Sequence, residues 1–305
     1  MIRRAQMLAA GYSDNDIRRF RDARLLRSVA PGLYLRLDPG QTMDVAARHR
    51  AAVDAVVPGL IGKPVVSHIS AAIVHGLPFT HTELPPVHVT RTGAAKSRRS
   101  TGVHVHRAIG VPPDVVLVGG LAVTSVARTV LDCARILPFD HAVVLADAAL
   151  HRGLVSAADL AGQLASHARI PGTRSAAKVL SFADGRSESA GESRTRVMLD
   201  RSGTPAPQLQ LPVFDAQDIP LGTADFGYPA QRVVGEFDGY VPYGRLLRGG
   251  GFAAVVPAEL VRQEMDREHR LQQAGWEVLR WTWADLESPV SLSERFQAAL
   301  AVPSR

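Results

Sequence analysis

Four carboxylates in the last third of the chain, Glu192, Asp225, Glu236 and Asp238, are the side chains best suited to chemistry. Asp225 interrupts the run Thr223-Ala224-Asp225-Phe226-Gly227-Tyr228, and Glu236 and Asp238 interrupt Arg232-Val233-Val234-Gly235-Glu236-Phe237-Asp238-Gly239. Both runs read as β-strands, and a bare carboxylate in an apolar strand is costly unless it is paired or bound to metal. Residues two apart on a strand share a face, so Glu236 and Asp238 point the same way. Together the four form an acidic cluster able to hold a divalent cation on hard oxygen donors.

A second chemistry is positive charge. The formal net charge is +6, carried almost wholly by arginine, since Lys63, Lys96 and Lys178 are the only lysines. The first 36 residues hold Arg3, Arg4, Arg18, Arg19, Arg21, Arg24, Arg27 and Arg36 against Asp14, Asp16 and Asp22, a local balance of +5. Such a concentration favours a polyanionic partner, DNA above all. A helix presenting Asn15, Arg18, Arg19 and Asp22 suits a major groove, with Arg18, Arg19 and Arg21 anchoring it and Arg27 meeting phosphates. Arg91, Lys96, Arg98 and Arg99 lie in a basic loop, 91–99, that reads equally as a nucleic-acid contact or a solvated hairpin tip.

Two further residue types are expected to be structural. Of His68, His75, His81, His88, His104 and His106, the last two share a strand face at a spacing some metal ligands use. No cysteine or carboxylate stands near them in sequence to complete a shell, so packing is the expectation. Cys133, the one cysteine, lies in a stretch of helical character and reads as a small buried thiol.

These residues need a scaffold of 305 residues, 46% hydrophobic and 21% charged, which suits two or three soluble domains. No apolar run is long enough to cross a bilayer and no signal-peptide pattern opens the chain, so no membrane is involved and the cytoplasm is expected. At the N-terminus, 3–10 and 14–23 read as helices separated by Gly11, the second capped by Ser13, with a hairpin of 25–29 and 33–37 after them. That order is a winged helix-turn-helix. Helices are expected at 43–57, 69–75, 124–136, 139–151, 157–166 and 173–182, and strands at 87–90, 103–106 and 115–118. A small polar linker, 183–189, precedes a helix that 189–192 opens and that runs to about 201 with Glu192 in its first turns, then strands at 207–214, 223–228 and 232–239, a helix at 258–274 and a strand at 276–281. The expected fold class is α+β multidomain: a winged helix-turn-helix at 1–42, an α+β middle domain at 43–183 and an α/β domain at 187–305.

The order of the C-terminal elements and its words resemble PD-(D/E)XK nucleases, specifically the bacterial family related to very short patch repair (Vsr-like) endonucleases. The resemblance covers roughly 100 residues and runs through Glu192, Asp225 with Tyr228 and Pro229, and Val234, Glu236, Asp238 and Gly239. It continues through Asp266, Arg267, Arg270, Leu271, Gly275, Trp276, Val278 and Arg280. It implies a restriction-endonuclease-like fold in which Asp225 and Glu236 ligate Mg²⁺ against a scissile phosphate and Glu192 reaches the metal or a water. Asp238 stands where that motif has lysine, and no lysine follows Lys178. Arg245 or His269 then supplies the missing positive charge, and the general-base role falls to His269 or a metal-bound water.

The front half, about 1–180, resembles AbiEi-type antitoxins through Gly32-Leu33-Tyr34, Ser70-Ala71-Ala72 with His75-Gly76-Leu77-Pro78, Val89-Thr90-Arg91, and Thr124-Ser125 with Ala127-Arg128-Thr129 and Leu131-Asp132. That resemblance implies autorepression of an operon and opposition to a nucleotidyltransferase toxin. Two functions follow as expectations: a DNA-binding regulator, and a Mg²⁺-dependent DNA endonuclease or nickase targeted by its winged helix.

Overall fold

The computed structural model describes residues 1–37, 45–62, 64–79, 84–93, 96–100, 102–108, 114–215, 217–239 and 258–301; Arg245 and His81 lie outside these. The chain divides into two compact units, Met1–Ala183 and Asp184–Arg305, so the boundary falls in the expected polar linker.

In the first unit, β1 (Ile2–Arg3), α1 (Arg4–Ala9) and α2 (Asp14–Asp22) precede a hairpin of β2 (Leu26–Ala30) and β3 (Leu33–Arg36). Gly11 turns the chain between the helices at φ 87°, a conformation only glycine takes without cost. Ser13 starts α2 through a capping box: its hydroxyl accepts from the Asp16 N–H at 3.2 Å while the Asp16 carboxylate accepts from the Ser13 N–H at 2.9 Å. Met7, Ile17, Leu26 and Tyr34 close a small core beneath these elements.

The same unit continues with α3 (Val45–Val56), β4 (Val65–Val66), α4 (His68–Val74), β5 (Val87–Arg91), β6 (Arg98–Ser100), β7 (Val103–Arg107), β8 (Val115–Val118) and β9 (Leu121–Thr124). These strands form a six-stranded sheet in the order β6-β7-β5-β4-β9-β8, with the β5/β7 and β4/β9 pairs parallel. Helices α5 (Val126–Ala134), α6 (Phe139–His151), α7 (Ala157–Ser166) and α8 (Thr173–Phe182) complete the unit. Three strands of this sheet exceed the sequence expectation. β9 follows β8 across Gly119-Gly120, both at positive φ, the two-residue connection of a tight hairpin. β4 is two residues long, and β6 is an exposed edge strand carrying Arg98 and Arg99 where a loop was expected. β4 is too short to show a period, and β6 shows no apolar alternation because an edge strand protects its open side with charge.

The second unit contains α9 (Ala190–Arg201), β10 (Gln208–Phe214), β11 (Pro220–Tyr228), β12 (Val233–Phe237), α10 (Ala258–Gln273), β13 (Glu277–Trp281), α11 (Trp283–Leu286) and α12 (Pro289–Ala301). Its sheet runs β10-β11-β12-β13: an antiparallel meander followed by β13 parallel to β12. One core joins Leu199 of α9 and Phe296 of α12 to Phe226 and Trp281, and a second joins Leu271 of α10 to Val213 and Val234. The sheet is thus covered on both faces, which is why β11 and β12 read as nearly continuous apolar runs. The protein is a multidomain α+β chain, with three sheets among the described residues. No described helix is long and apolar enough to cross a membrane.

Candidate functional site

The expected acid set converges on the sheet of the second unit. The β11/β12 register, Phe226 opposite Gly235, continues by one residue to set Asp225 opposite Glu236. On the next strand Glu236 lies opposite Arg280, and on the other side the β10/β11 register, Leu209 opposite Phe226, sets Gln210 beside Asp225. Gln210, Asp225, Glu236 and Arg280 therefore form one row across four strands. Gln210 takes a left-handed φ of 51°, uncommon away from glycine, and its amide donates to Glu192 Oε2 at 3.4 Å.

Within this row the carboxylates divide in two. Glu236 is buried and doubly bridged, Oε1 to Arg267 and Oε2 to Arg280, each at 2.6 Å. Arg267 is braced by donating to the Thr223 carbonyl at 2.9 Å. Asp238 shares Arg280 at 3.4 Å, and Glu268 approaches the same guanidinium at 3.1 Å. By contrast, Glu192, seated in the first turn of α9, accepts from the Glu188 N–H at 2.9 Å, and Asp225 accepts from the Phe237 N–H at 2.9 Å. Burial pushes the Asp225 carboxyl up to about 6; the Phe237 N–H works against this, and the charges of Glu192 and Glu188 add to it. A divalent ion at Glu192 and Asp225 would relieve that crowding of negative charge. At Glu236 it would have to displace an arginine.

The expected general base stands apart. His269 is exposed on α10 and engages Gln273 one turn on at 2.8 Å, whereas Arg267 of the same helix reaches Glu236. Two residues of helix turn the side chain by roughly 200°. Sequence reading singled out neither Gln210 nor the double arginine clamp on Glu236. The signal for the clamp is present, since Arg267 and Arg280 belong to the resemblance words and carry the charge that lysine does not.

The basic candidates are on the surface. Asn15, Arg18, Arg19 and Asp22 are exposed on α2 at i, i+3, i+4 and i+7, one stripe of a helix whose Ile17 is buried, and Arg21 is exposed on its flank. Arg27 on β2 is exposed and donates weakly to the Leu84 carbonyl at 3.5 Å. Arg98 and Arg99 project from the edge strand β6.

A third constellation lies in the six-stranded sheet. Val87, Val89 and Val103 enter a core with Val53 and Val66, leaving His88, Thr90, His104 and His106 on the opposite face. The β5/β7 register sets His88 opposite His104 and Thr90 opposite His106. The start of α4 brings His68 onto this face, so that one ligand atom each from His68, His88 and His106 falls within 4.8 Å of the others, a group that could hold a metal ion. His106 Nε2 lies 2.9 Å from His88 Nδ1, and the His68 ring stacks on His106 at 3.6 Å. His68 is held at φ 52°, a left-handed backbone that costs a non-glycine residue about 1–2 kcal/mol. Hydroxyls brace two of the three: His68 Nδ1 meets Ser67 Oγ at 3.0 Å, Ser67 Oγ accepts from Thr90 at 2.7 Å, and Ser70 Oγ accepts from the His88 backbone N–H at 2.7 Å. Burial is the first cause holding all three rings neutral, with His88 down to about 2, His106 to about 3 and His68 well below its ordinary value. The sequence expectation of packing histidines missed this grouping because it paired His104 with His106. The structure takes His106 alone from that strand and completes the set from two distant segments.

Comparison with known proteins places limits on inheritance. No family model matches the chain. Over 210 residues it is 28% identical to two proteins of Mycobacterium tuberculosis, "Uncharacterized protein MT2308" of strain CDC 1551 / Oshkosh and "Uncharacterized protein Rv2248" of strain H37Rv, covering 69% of this chain and 71% of each relative.

Proposed function

We propose that this protein is a DNA-binding regulator, of the kind its resemblance to AbiEi-type antitoxins implies, and that its nuclease-like C-terminal unit adds affinity for nucleic acid. The observation that carries this reading is the outward stripe of α2: Asn15, Arg18 and Arg19 exposed together while Ile17 anchors the helix from behind. Arginine in such a stripe binds phosphates bidentately and asparagine can read adenine in the major groove. The arginine clamp on Glu236 supports a binding role for the second unit. Its partners are then operator DNA and, by the same resemblance, a nucleotidyltransferase toxin. Binding to a duplex from its own promoter, followed by fluorescence anisotropy, should weaken steeply with salt, and Arg18→Ala with Arg19→Ala should flatten the slope by roughly 2, about one per lost phosphate contact. Salt-insensitive binding would sink the reading.

A second reading rests on Asp225, whose carboxyl is raised beside Glu192. A Mg²⁺-dependent endonuclease or nickase would hold the ion on Glu192 and Asp225, with Glu236 joining once released by Arg267 or Arg280, and the metal would polarise the scissile phosphate. Plasmid nicking with Mg²⁺ or Mn²⁺ that Asp225→Asn abolishes is the expected result; equal behaviour of wild type and Glu236→Gln removes this reading.

A further inference from the structure

We propose that His68, His88 and His106 bind one borderline divalent transition-metal ion of the Zn²⁺ class, with a fourth coordination position left for an anionic ligand. The donors decide the class of metal. Three imidazole nitrogens suit Zn²⁺, Co²⁺, Ni²⁺ or Cu²⁺, whereas Mg²⁺ demands oxygen. This site is therefore chemically distinct from the acid cluster of the other unit.

The geometry is close to what such an ion requires. Zn–N bonds of about 2.0–2.1 Å in a tetrahedral shell set ligand nitrogens about 3.3 Å apart. His88 Nδ1 and His106 Nε2 stand 2.9 Å apart and the third donor lies within 4.8 Å, so two donors are already near shell spacing, while the His68 ring has to turn out of its stack on His106 to aim its nitrogen at the same ion. Metal-binding histidines are oriented by a partner on the other ring nitrogen, and His68 has that partner in Ser67, itself fixed by Thr90. With Nδ1 so engaged, Nε2 is the nitrogen His68 has left to offer an ion.

Two independent features separate this trio from histidines that merely pack. His68 is held in a left-handed backbone at the first residue of α4, and strain of this kind persists where the surroundings impose it for a purpose. Second, the three rings come from three separate segments, and no helix or strand periodicity would bring them together by default. His68 and His88 are buried while His104 and His106 are half-buried, so the open position faces the His104 side. The positive charges of Arg135 and Arg99 bear on His106, and those of Arg135 and Arg128 bear on His68. With no carboxylate among the ligands, an anionic fourth ligand such as hydroxide offsets the ion's charge.

The test uses the full chain, stripped with a chelator and titrated with Co²⁺. One Co²⁺ per chain, with the intense visible absorption of a four- or five-coordinate centre and displacement by Zn²⁺, is expected. His106→Gln should weaken binding at least about 100-fold, with far-UV circular dichroism unchanged, while His151→Gln, at an exposed histidine of α6, leaves Co²⁺ binding as it is. Should His106→Gln fail to fold, X-ray absorption of the Zn²⁺ form of the wild type decides: a shell with about three imidazole nitrogens supports the site. Binding unaffected by His106→Gln, an oxygen-only shell, or no stoichiometric binding overturns it.

Discussion

Glu236 on β12 and Arg280 on β13 face each other across a parallel strand pair, with Oε2 of one 2.6 Å from Nη2 of the other. Arg267 closes on the second oxygen from α10, so one carboxylate ties a helix to two strands. The side chains are 10% exposed for Glu236, 24% for Arg280 and 19% for Arg267, which places the triad between a surface bridge and a buried one. Surface pairs contribute about 0–1 kcal/mol, whereas breaking a buried pair costs about 3–5 kcal/mol. Glu236→Gln is expected to destabilise the C-terminal unit by about 2–3 kcal/mol, discounted for that partial exposure. Trp276, Trp281 and Trp283, the chain's three tryptophans, all lie in this unit, so their emission during urea unfolding reports it alone. An unchanged midpoint would show that the arginines, not the acid, hold the sheet to the helix.

Asp225 supplies the opposite sign. Its carboxyl is raised from 3.8 to about 6 in the folded protein, so between those values the folded state binds more protons than the unfolded one. By linkage, stability of this unit falls as pH rises through that window and stays low above it. Asp225→Asn keeps an oxygen to accept from the Phe237 N–H and removes the crowded charge. It is expected to raise the tryptophan-monitored unfolding midpoint at pH 7.5 and to erase the decline between pH 4 and 6. A variant less stable than wild type at pH 7.5 would mean that Asp225 is compensated by more than the Phe237 amide.

These two residues mark how far the sequence can be read. Asp225 and Glu236 stand out because each breaks an apolar strand run, and the order helix, meander, helix, strand follows from turn residues at every boundary. The partner of Glu236 is not legible, since no local periodicity links β12 to β13 across the intervening α10. Gln210 carries no sequence mark of its left-handed backbone. Arg98 and Arg99 read as a loop because charge on an edge strand looks like charge in a loop. The histidine trio shows the same limit: i, i+2 spacing exposes His104 and His106, but register and helix placement choose His68, His88 and His106.

Gly191 sets two effects against each other. Alanine in place of glycine within a helix ordinarily stabilises by about 1 kcal/mol. Here an added Cβ would stand 1.9 Å from the Phe237 ring, which itself packs edge-on against Trp283. Overpacking of this kind costs about 1–3 kcal/mol, so sterics win and Gly191→Ala is expected to destabilise by about 1–2 kcal/mol net. Displacing Phe237 should also disturb the amide that supports Asp225. A gain in stability would show that α9 can shift to make room.

In the N-terminal unit, acid acts through histidine. His49, fully buried on α3 and 2.8 Å from Ser70 Oγ, is lowered from 6.5 to about 4, first by burial, with the Pro85 carbonyl opposing. Between those values the unfolded state binds more protons, so stability rises with pH and is lost as pH falls from 6.5 toward about 4. His68, His88 and His106 shift the same way, which deepens the loss without changing its sign. Acid titration of the intact chain is therefore expected to lower far-UV ellipticity while tryptophan emission from the other unit holds, because Asp225 stabilises that unit over part of the same range. His49→Gln, which keeps a donor for Ser70 and cannot titrate, should move the ellipticity loss to lower pH. Simultaneous loss of both signals at one pH would show that the two units unfold as one.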